Sequence, residues 1–459
     1  MYAPSALRFA LAVLLVAGTA LLGPAASPSH AARTQRPALG PPAATDPRFG
    51  AVEAVHAPTE AREIGARWER LVFWWKELQP GGTNSWNAFA TGHDRGINAE
   101  LAAGRQVVGL LINTPAWAAV SRGSTVPRGL YLPYDDPRNY WGHFVGLMAG
   151  RYAGKVNDWI IWNEVNIPSG RYHTWDGTQA DYAQLVKVAY LAAKAANPQA
   201  RIILAGDPYW YDHGALFRYL LAQLGSEPGA KAHHDYFDVA NLHLYSRPLE
   251  MAPIVDDYRR AMARAGISKP IWISETNAAP YDDYARTYPR RAFRASLDDQ
   301  VSFLVQAFAI DLASGVNRIG VNRMVDGTDF SAGGEPLGLV RNDGTARPAI
   351  AGYRTAATLF AGVSGGSLGY DRRTGVYTVS LHRGSTTIGV VWDQQSHPAV
   401  AQIPAHTATA RLYDKFGMGR TVHARNGRYT LTLAPATGNT NSADPADYVI
   451  GGSPLILVQ

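Results

Sequence analysis

Between Phe49 and Phe360 the chain repeats one alternation eight times: a short apolar run, then an amphipathic stretch. The runs are Phe49–Val55, Leu71–Trp75, Gln106–Ile112, Asp158–Trp162, Arg201–Ala205, Val239–Leu244, Pro270–Ser274 and Arg318–Val321. Their lengths suit buried strands. The helical stretches are clearest at Tyr182–Ala196, stopped by Asn197-Pro198, and at Asp299–Ala313, stopped by Ser314-Gly315. Strands that alternate with helices build βα units and a parallel sheet. Eight such units over this length predict an α/β fold of the (β/α)8 TIM barrel type. The competing fold is a doubly wound sheet, which usually carries a Gly-rich phosphate turn after its first strand; none occurs here.

Past Phe360 the texture changes. Gly362–Gly369 is rich in Gly and Ser and is expected to be a linker. Short alternating runs follow at Val376–His382, Thr387–Trp392, Thr407–Tyr413, Tyr429–Leu433 and Leu455–Val458. Turn residues separate them and no helical period is visible. They predict a C-terminal antiparallel β-sandwich. The expected organisation is a barrel over 48–362 and a sandwich over 363–459.

The first 31 residues have the form of a secretory signal. Arg8 supplies the positive end, and Phe9–Leu22 is an apolar stretch of 14 residues, short for a bilayer span. Ser29-His30-Ala31 offers a small-x-small cleavage site. Residues 32–47, rich in Ala and Pro, are expected to be a flexible leader. The expectation is a secreted or cell-envelope protein with no stable membrane insertion after processing; a retained anchor is the alternative. The chain has no cysteine, which excludes disulfides, thiolate metal sites and cysteine nucleophiles. Its net charge of +6 is spread without basic runs, so no nucleic-acid partner is expected. Nothing in the sequence fixes the oligomeric state.

Two of the predicted strands end in a glutamate. Asp158-Trp159-Ile160-Ile161-Trp162 leads to Asn163-Glu164, and Pro270-Ile271-Trp272-Ile273 leads to Ser274-Glu275. A carboxylate at the end of a buried strand is costly unless a site uses it. In a barrel the site lies at the carboxyl ends of the strands. Strands 4 and 7 stand nearly across from one another, so the two glutamates would face each other over the mouth. A facing carboxyl pair is the minimal equipment for cleaving a glycosidic bond.

Trp162-Asn163-Glu164 and Ile273-Ser274-Glu275 resemble the two signatures of glycoside hydrolase clan A. Within it the chain looks most like family 39 and its relatives, which include β-xylosidases, α-L-iduronidases and bacterial exopolysaccharide-cleaving glycosidases. Thr114-Pro115-Ala116-Trp117-Ala118, His243-Leu244-Tyr245-Ser246 and Gly338-Leu339-Val340-Arg341-Asn342-Asp343-Gly344 fit the same resemblance. It implies retaining hydrolysis of a glycan, with Glu164 as acid/base, Glu275 as nucleophile, and neither metal nor cofactor. It also implies that Tyr245 and Arg70 lie against the nucleophile and that Asn163 contacts the sugar 2-hydroxyl. Gly320-Val321-Asn322-Arg323-Met324 departs from it by lacking the aromatic often found there.

Adjacent strand residues face opposite sides, so Asn163 and Glu164 can both point inward only at a bulge or strand end. His243 and Tyr245, two apart, share a face. His56 and Asn113, after strands 1 and 3, are candidate sugar contacts. So are Trp75, Trp117 and Trp210, from a set of mouth aromatics that also includes Trp74, Trp175, Tyr209 and Tyr211. Core packing is the alternative for about half of that set, and Trp159 and Trp272 belong to the core. Pro280–Arg294 and the Asp326–Gly334 loop would shape the cleft. Gly362-Val363-Ser364-Gly365-Gly366 matches G-x-S-x-G but lacks the strand before and helix after that a serine nucleophile needs. His233-His234-Asp235 lacks metal-ligand spacing. Two rival functions remain on the same scaffold, a non-catalytic carbohydrate-binding barrel of the cell wall and a transglycosylase.

Overall fold

A computed structural model describes residues 39, 46–87, 93–283, 295–327, 335–437 and 448–459. The expected signal peptide and nearly all of the expected leader lie outside the described residues. So do residues 284–294 and 328–334 of the two stretches expected to shape the cleft. Among the described residues no helix is long and apolar enough to cross a membrane.

Eight parallel strands form the barrel: β1 (Phe49–Val52), β2 (Trp68–Trp74), β3 (Gln106–Ile112), β4 (Asp158–Ile161), β5 (Arg201–Leu204), β6 (Ala240–Tyr245), β7 (Ile271–Asn277) and β8 (Arg318–Val321). They pair in chain order, and β1 also pairs with β8. Between β5 and β6 the ladder thins to two single bridges, Ile203 to Val239 and Asp207 to Leu242. The outer layer is α1 (Pro58–Glu63), α2 (Trp75–Leu78), α3 (His93–Ala102), α4 (Tyr140–Arg151), α5 (Gln179–Ala196), α6 (Ala215–Ser226), α7 (Pro248–Arg264), α8 (Leu297–Ala313) and α9 (Ala349–Leu359). The two helices clearest in the sequence are α5 and α8. Each opens on a reciprocal capping box, Thr178 with Asp181 and Ser296 with Asp299.

The floor of the barrel is aromatic. Trp68 and Trp272 meet inside it with ring centroids 6.0 Å apart. Glycines on the neighbouring strands make room: a Cβ on Gly50 would stand 2.2 Å from the Trp68 ring, and one on Gly320 would stand 2.5 Å from it. Arg318 lies over Trp272 and pairs with Asp158 at 3.2 Å, which keeps its buried charge compensated.

Two strand ends differ from expectation. β1 stops at Val52 because Glu53 turns into the left-handed region (φ 57°) and a 3-10 turn follows over Ala54–His56. β7 runs through Glu275 to Asn277, with its register to both neighbours shifted near Ser274.

The C-terminal strands are β9 (Gly365–Asp371), β10 (Val376–Arg383), β11 (Thr386–Asp393), β12 (Ala399–Pro404), β13 (Thr409–Asp414), β14 (Gly419–His423), β15 (Arg428–Leu433) and β16 (Leu455–Val458). A six-stranded sheet of order β14-β13-β16-β11-β10-β9 lies with the β12-β15 pair, in the antiparallel sandwich arrangement expected. Val391, Ala401, Leu412, Leu431 and Leu433 pack within it. The Gly/Ser stretch is no plain linker, since most of it is edge strand β9. A Cβ on Gly366 would stand 2.4 Å from the Ser380 carbonyl oxygen, so the close backbone approach itself demands glycine there.

The β-layer packs on α8, whose residues from Asp299 to Leu312 are all buried. Gln306 on that helix donates to the Gly451 and Gly452 carbonyls at 3.1 and 3.0 Å. It also accepts from the Gly451 N–H. Lys415 reaches Ser302 at 2.9 Å.

Candidate active site

Along β2 every second side chain enters the barrel, so Arg70, Val72 and Trp74 follow Trp68 upward. They open into a cleft of about 900 Å³ at the carboxyl ends of the strands. The cleft also takes Asn113, Asn163, Glu164, Trp210, His243, Tyr245 and Glu275.

Glu164 arrives there by a strand end, as its parity required. β4 stops at Ile161, and Trp162 (φ 69°) and Glu164 (φ 46°) both adopt left-handed backbone. Such residues cost roughly 1–3 kcal/mol each and persist only where the surroundings enforce them. Here Trp162 is fully buried against Trp141 and Trp175. Its Nε1–H donates to the Thr174 carbonyl at 3.0 Å, and the Thr174 hydroxyl donates back to the Asn163 carbonyl at 2.6 Å.

Glu275 arrives by the irregularity in β7. An extra residue in the register lets both Ser274 and Glu275 reach His243, which two regular neighbours could not do. His243 is fully buried. Its Nδ1 lies 2.7 Å from Glu164 Oε1 and 3.6 Å from Glu275 Oε2, and its Nε2 lies 3.1 Å from Ser274 Oγ. The ring fits only because residue 206 is glycine, where a Cβ would stand 1.9 Å from Nε2. One donor atom each from Glu164, His243 and Glu275 fall within 4.8 Å of one another. That donor set would also suit a cation, but the Arg70 guanidinium already contacts Glu275 Oε1.

The two carboxyls have unlike surroundings. Glu275 is 6% exposed and Glu164 is more open. Burial by itself would raise the Glu275 pKa. Arg70, then His243, then the Tyr245 hydrogen bond outweigh it and hold the carboxyl below its ordinary value. Tyr245 donates to Glu275 Oε2. Burial and the adjacent glutamates push its own phenol well above the usual range.

Three expected sugar contacts do not line the cleft. Trp75 is fully buried against Trp141 and Phe144, with its Nε1–H on Gln79 Oε1 at 2.8 Å. Because β2 ends at Trp74, that neighbour takes the inward place and Trp75 faces the helices. Trp117 packs on Trp75 and Tyr140 and donates to the Gln79 carbonyl at 2.7 Å. His56 is exposed on the 3-10 turn after β1. Of the other mouth aromatics, Trp74 and Tyr211 line the cleft and Trp175 is core.

Some cleft residues carried no distinct signal in the sequence. Tyr172 lines the wall, and Glu53 and Arg323 form an ion pair there. Asn322 donates to Tyr245 and Glu275. Behind the cleft Asp207 accepts from Asn166 Nδ2 at 2.8 Å and from the Tyr258 hydroxyl. Burial pushes it up to about 6. The segment singled out after β8 is anchored from below. Arg341 and Arg347 both pair with Asp283, and Arg347 also pairs with Asp326.

No known family profile matches this chain, and no curated protein sequence matches it. Solved structures match it in fold. A family 39 glycoside hydrolase from the gut symbiont Bacteroides cellulosilyticus superposes with a TM-score of 0.67 at 14% identity, over 90% of this chain and 81% of that one. A glycoside hydrolase family 30 subfamily 8 xylanase from Clostridium acetobutylicum gives 0.59 at 14% identity, over 91% and 97%. A monomeric β-xylosidase from Caulobacter crescentus gives 0.57 at 15% identity, over 92% and 97%. The resemblance expected from the glutamate motifs is therefore met in the fold, across barrel and β-layer together.

Proposed function

We propose that this protein is a secreted retaining glycoside hydrolase acting on a polysaccharide or oligosaccharide. The observation that carries the proposal is the carboxyl pair: Glu164 and Glu275 present oxygens within 4.8 Å across one cleft. Retaining enzymes hold their carboxyls about 5–5.5 Å apart, whereas inverting ones leave roughly 6.5–9.5 Å for a water. The likeness in fold to glycoside hydrolases supports the same assignment.

In this mechanism Glu275, kept ionised by Arg70 and Tyr245, attacks the anomeric carbon. The bond to the leaving oxygen breaks as Glu164 gives that oxygen its proton. Glu164, now a carboxylate, takes a proton from water, and the water oxygen displaces Glu275 from the same carbon. Two displacements restore the starting anomeric configuration. Asn163 lines the cleft beside Glu164, which supports its contact with a sugar hydroxyl, and among the described residues its side-chain oxygen has no hydrogen-bond partner. Secretion rests on the sequence of the first 31 residues.

A glycan panel followed by proton NMR of the first product anomer tests the assignment. Retention is expected, with Glu275→Ala inactive. Glu164→Ala should spare aryl glycosides with good leaving groups and recover rate with azide. Inversion, or a Glu164→Ala variant unaffected on poor leaving groups, would refute it. Binding without turnover on every glycan would point instead to a carbohydrate-binding barrel.

A further inference from the structure

The end of β8 bears no aromatic, yet it is not idle. Asn322 follows directly on Val321, and its Nδ2 lies 2.7 Å from the Tyr245 hydroxyl oxygen and 3.1 Å from Glu275 Oε2. Tyr245 donates to that same Oε2. The three groups close a triangle whose proton order is forced. An amide nitrogen only donates, so the phenol oxygen accepts from Asn322 and its single hydrogen is left for Glu275. Turning the amide over would set Oδ1 against a carboxylate oxygen, which is repulsive.

The backbone of Asn322 is fixed by β7 itself. Its N–H donates to the Thr276 carbonyl at 3.2 Å, and its carbonyl accepts from Asn277 Nδ2 at 2.9 Å. Asn277 is fully buried and also donates to the Leu337 carbonyl at 2.7 Å. Its Oδ1 accepts from Gln300 Nε2 on α8 at 3.2 Å. The residue two places beyond Glu275 thus holds the strand that carries Asn322.

We propose that Asn322 is a positioning residue of this active site, which aims the Tyr245 hydroxyl at Glu275 and holds the carboxylate in one orientation. The role rests on Glu275 being the nucleophile. Where related barrels set an aromatic ring, this chain uses the position to serve the attacking group. The groups facing Glu275 are Arg70 from β2, His243 and Tyr245 from β6, Glu164 from the end of β4 through His243, and Asn322 from β8. Removing one donor from a carboxylate so surrounded raises its pKa.

Two variants probe the donor. Asn322→Ala removes the donor and leaves room. Asn322→Asp keeps the shape and replaces the donor with an acceptor. The Asp carboxylate would also repel Glu275 and is expected to be the worse of the two, so the Glu275 titration in Asn322→Ala is what tells donation from space-filling. The direct readout is the carboxyl carbon NMR titration of Glu275 in the full chain, assigned by its loss in Glu275→Gln. The midpoint should rise by about one pH unit in Asn322→Ala and further in Asn322→Asp. On an aryl glycoside, kcat should fall roughly ten- to a hundredfold in Asn322→Ala, with the acid limb of kcat/KM moved by the same interval. An unmoved midpoint, an unmoved acid limb, or an Asp variant as active as the parent would overturn the proposal. The titration needs no substrate, so a chain that cleaves no glycan fails the hydrolase assignment while still deciding what Asn322 does.

Discussion

Arg70 is the foremost of the groups that keep Glu275 ionised. It is a buried cation in contact with a buried carboxylate, and its charge is the largest influence opposing the burial that would push Glu275 upward. A depressed carboxyl contributes stability above its unfolded value, and loses it as pH falls through the folded value. Arg70→Leu should therefore change two things together. The acid limb of kcat/KM should move upward, and the melting temperature at pH 7 should fall. A pH–rate profile paired with thermal melts checks both; an unmoved limb would show that Glu275 is not held by this charge. Much of the site was legible at this scale. Glu164, Glu275, His243 and Tyr245 stand at the ends of runs whose apolar character makes a polar terminus conspicuous, and all four meet in the cleft. Trp75 misled because adjacent strand residues face opposite sides, and it is Trp74 that shares the inward parity of Arg70. Asn322 gave no sign because an asparagine after a strand is ordinary, and only its distance to Tyr245 distinguishes it.

Among the elements, α8 carries the most unusual group. Asp311 is fully buried, and among the described residues neither of its carboxyl oxygens has a hydrogen-bond partner. Burial pushes it well above the normal range. A raised carboxyl contributes stability at low pH, which is lost as pH rises from the unfolded value toward the folded one. Asp311→Asn abolishes that slope, so its melting temperature should exceed that of the parent by a margin that widens from about pH 4 upward. A constant margin would mean that the carboxyl is not neutral in the fold. The helix itself was plain in the sequence, since its apolar period and capping box agree. The barrel strands were plain too, because two buried faces leave continuous apolar runs. In the β-layer β9, β12 and β14 escaped notice. β9 is Gly-rich and largely exposed and β14 buries no side chain fully, while β12 alternates in burial but with Ala399 and Ala401 inside and Val400 outside, so the apolar alternation that marks a strand in sequence is weak in each.

For the whole molecule, the β-layer serves as a brace for the barrel. α8 is buried on the strand side by β7 and on the outer side by β9 and β10, and Gln306 is bonded to a backbone turn nearly 150 residues away. A fragment ending at residue 362 should expose that helix, bind hydrophobic dyes and melt well below the full chain. A fragment as stable and active as the whole would remove the bracing role. The barrel also has one irregular join. Between β5 and β6 the regular ladder gives way to two isolated bridges, Ile203–Val239 and Asp207–Leu242, carried by backbone hydrogen bonds from Leu204 N–H to the Val239 carbonyl, from Asp207 N–H to the Asn241 carbonyl and from His243 N–H to the Asp207 carbonyl. β4 and β5 lie on one side of that join with Glu164, and β6 and β7 lie on the other with Glu275. Glu164 and Glu275 therefore belong to opposite banks of the same join, spanned by one imidazole. Warming should part the banks before it melts either, so that catalysis dies at a temperature where circular dichroism still records an intact protein.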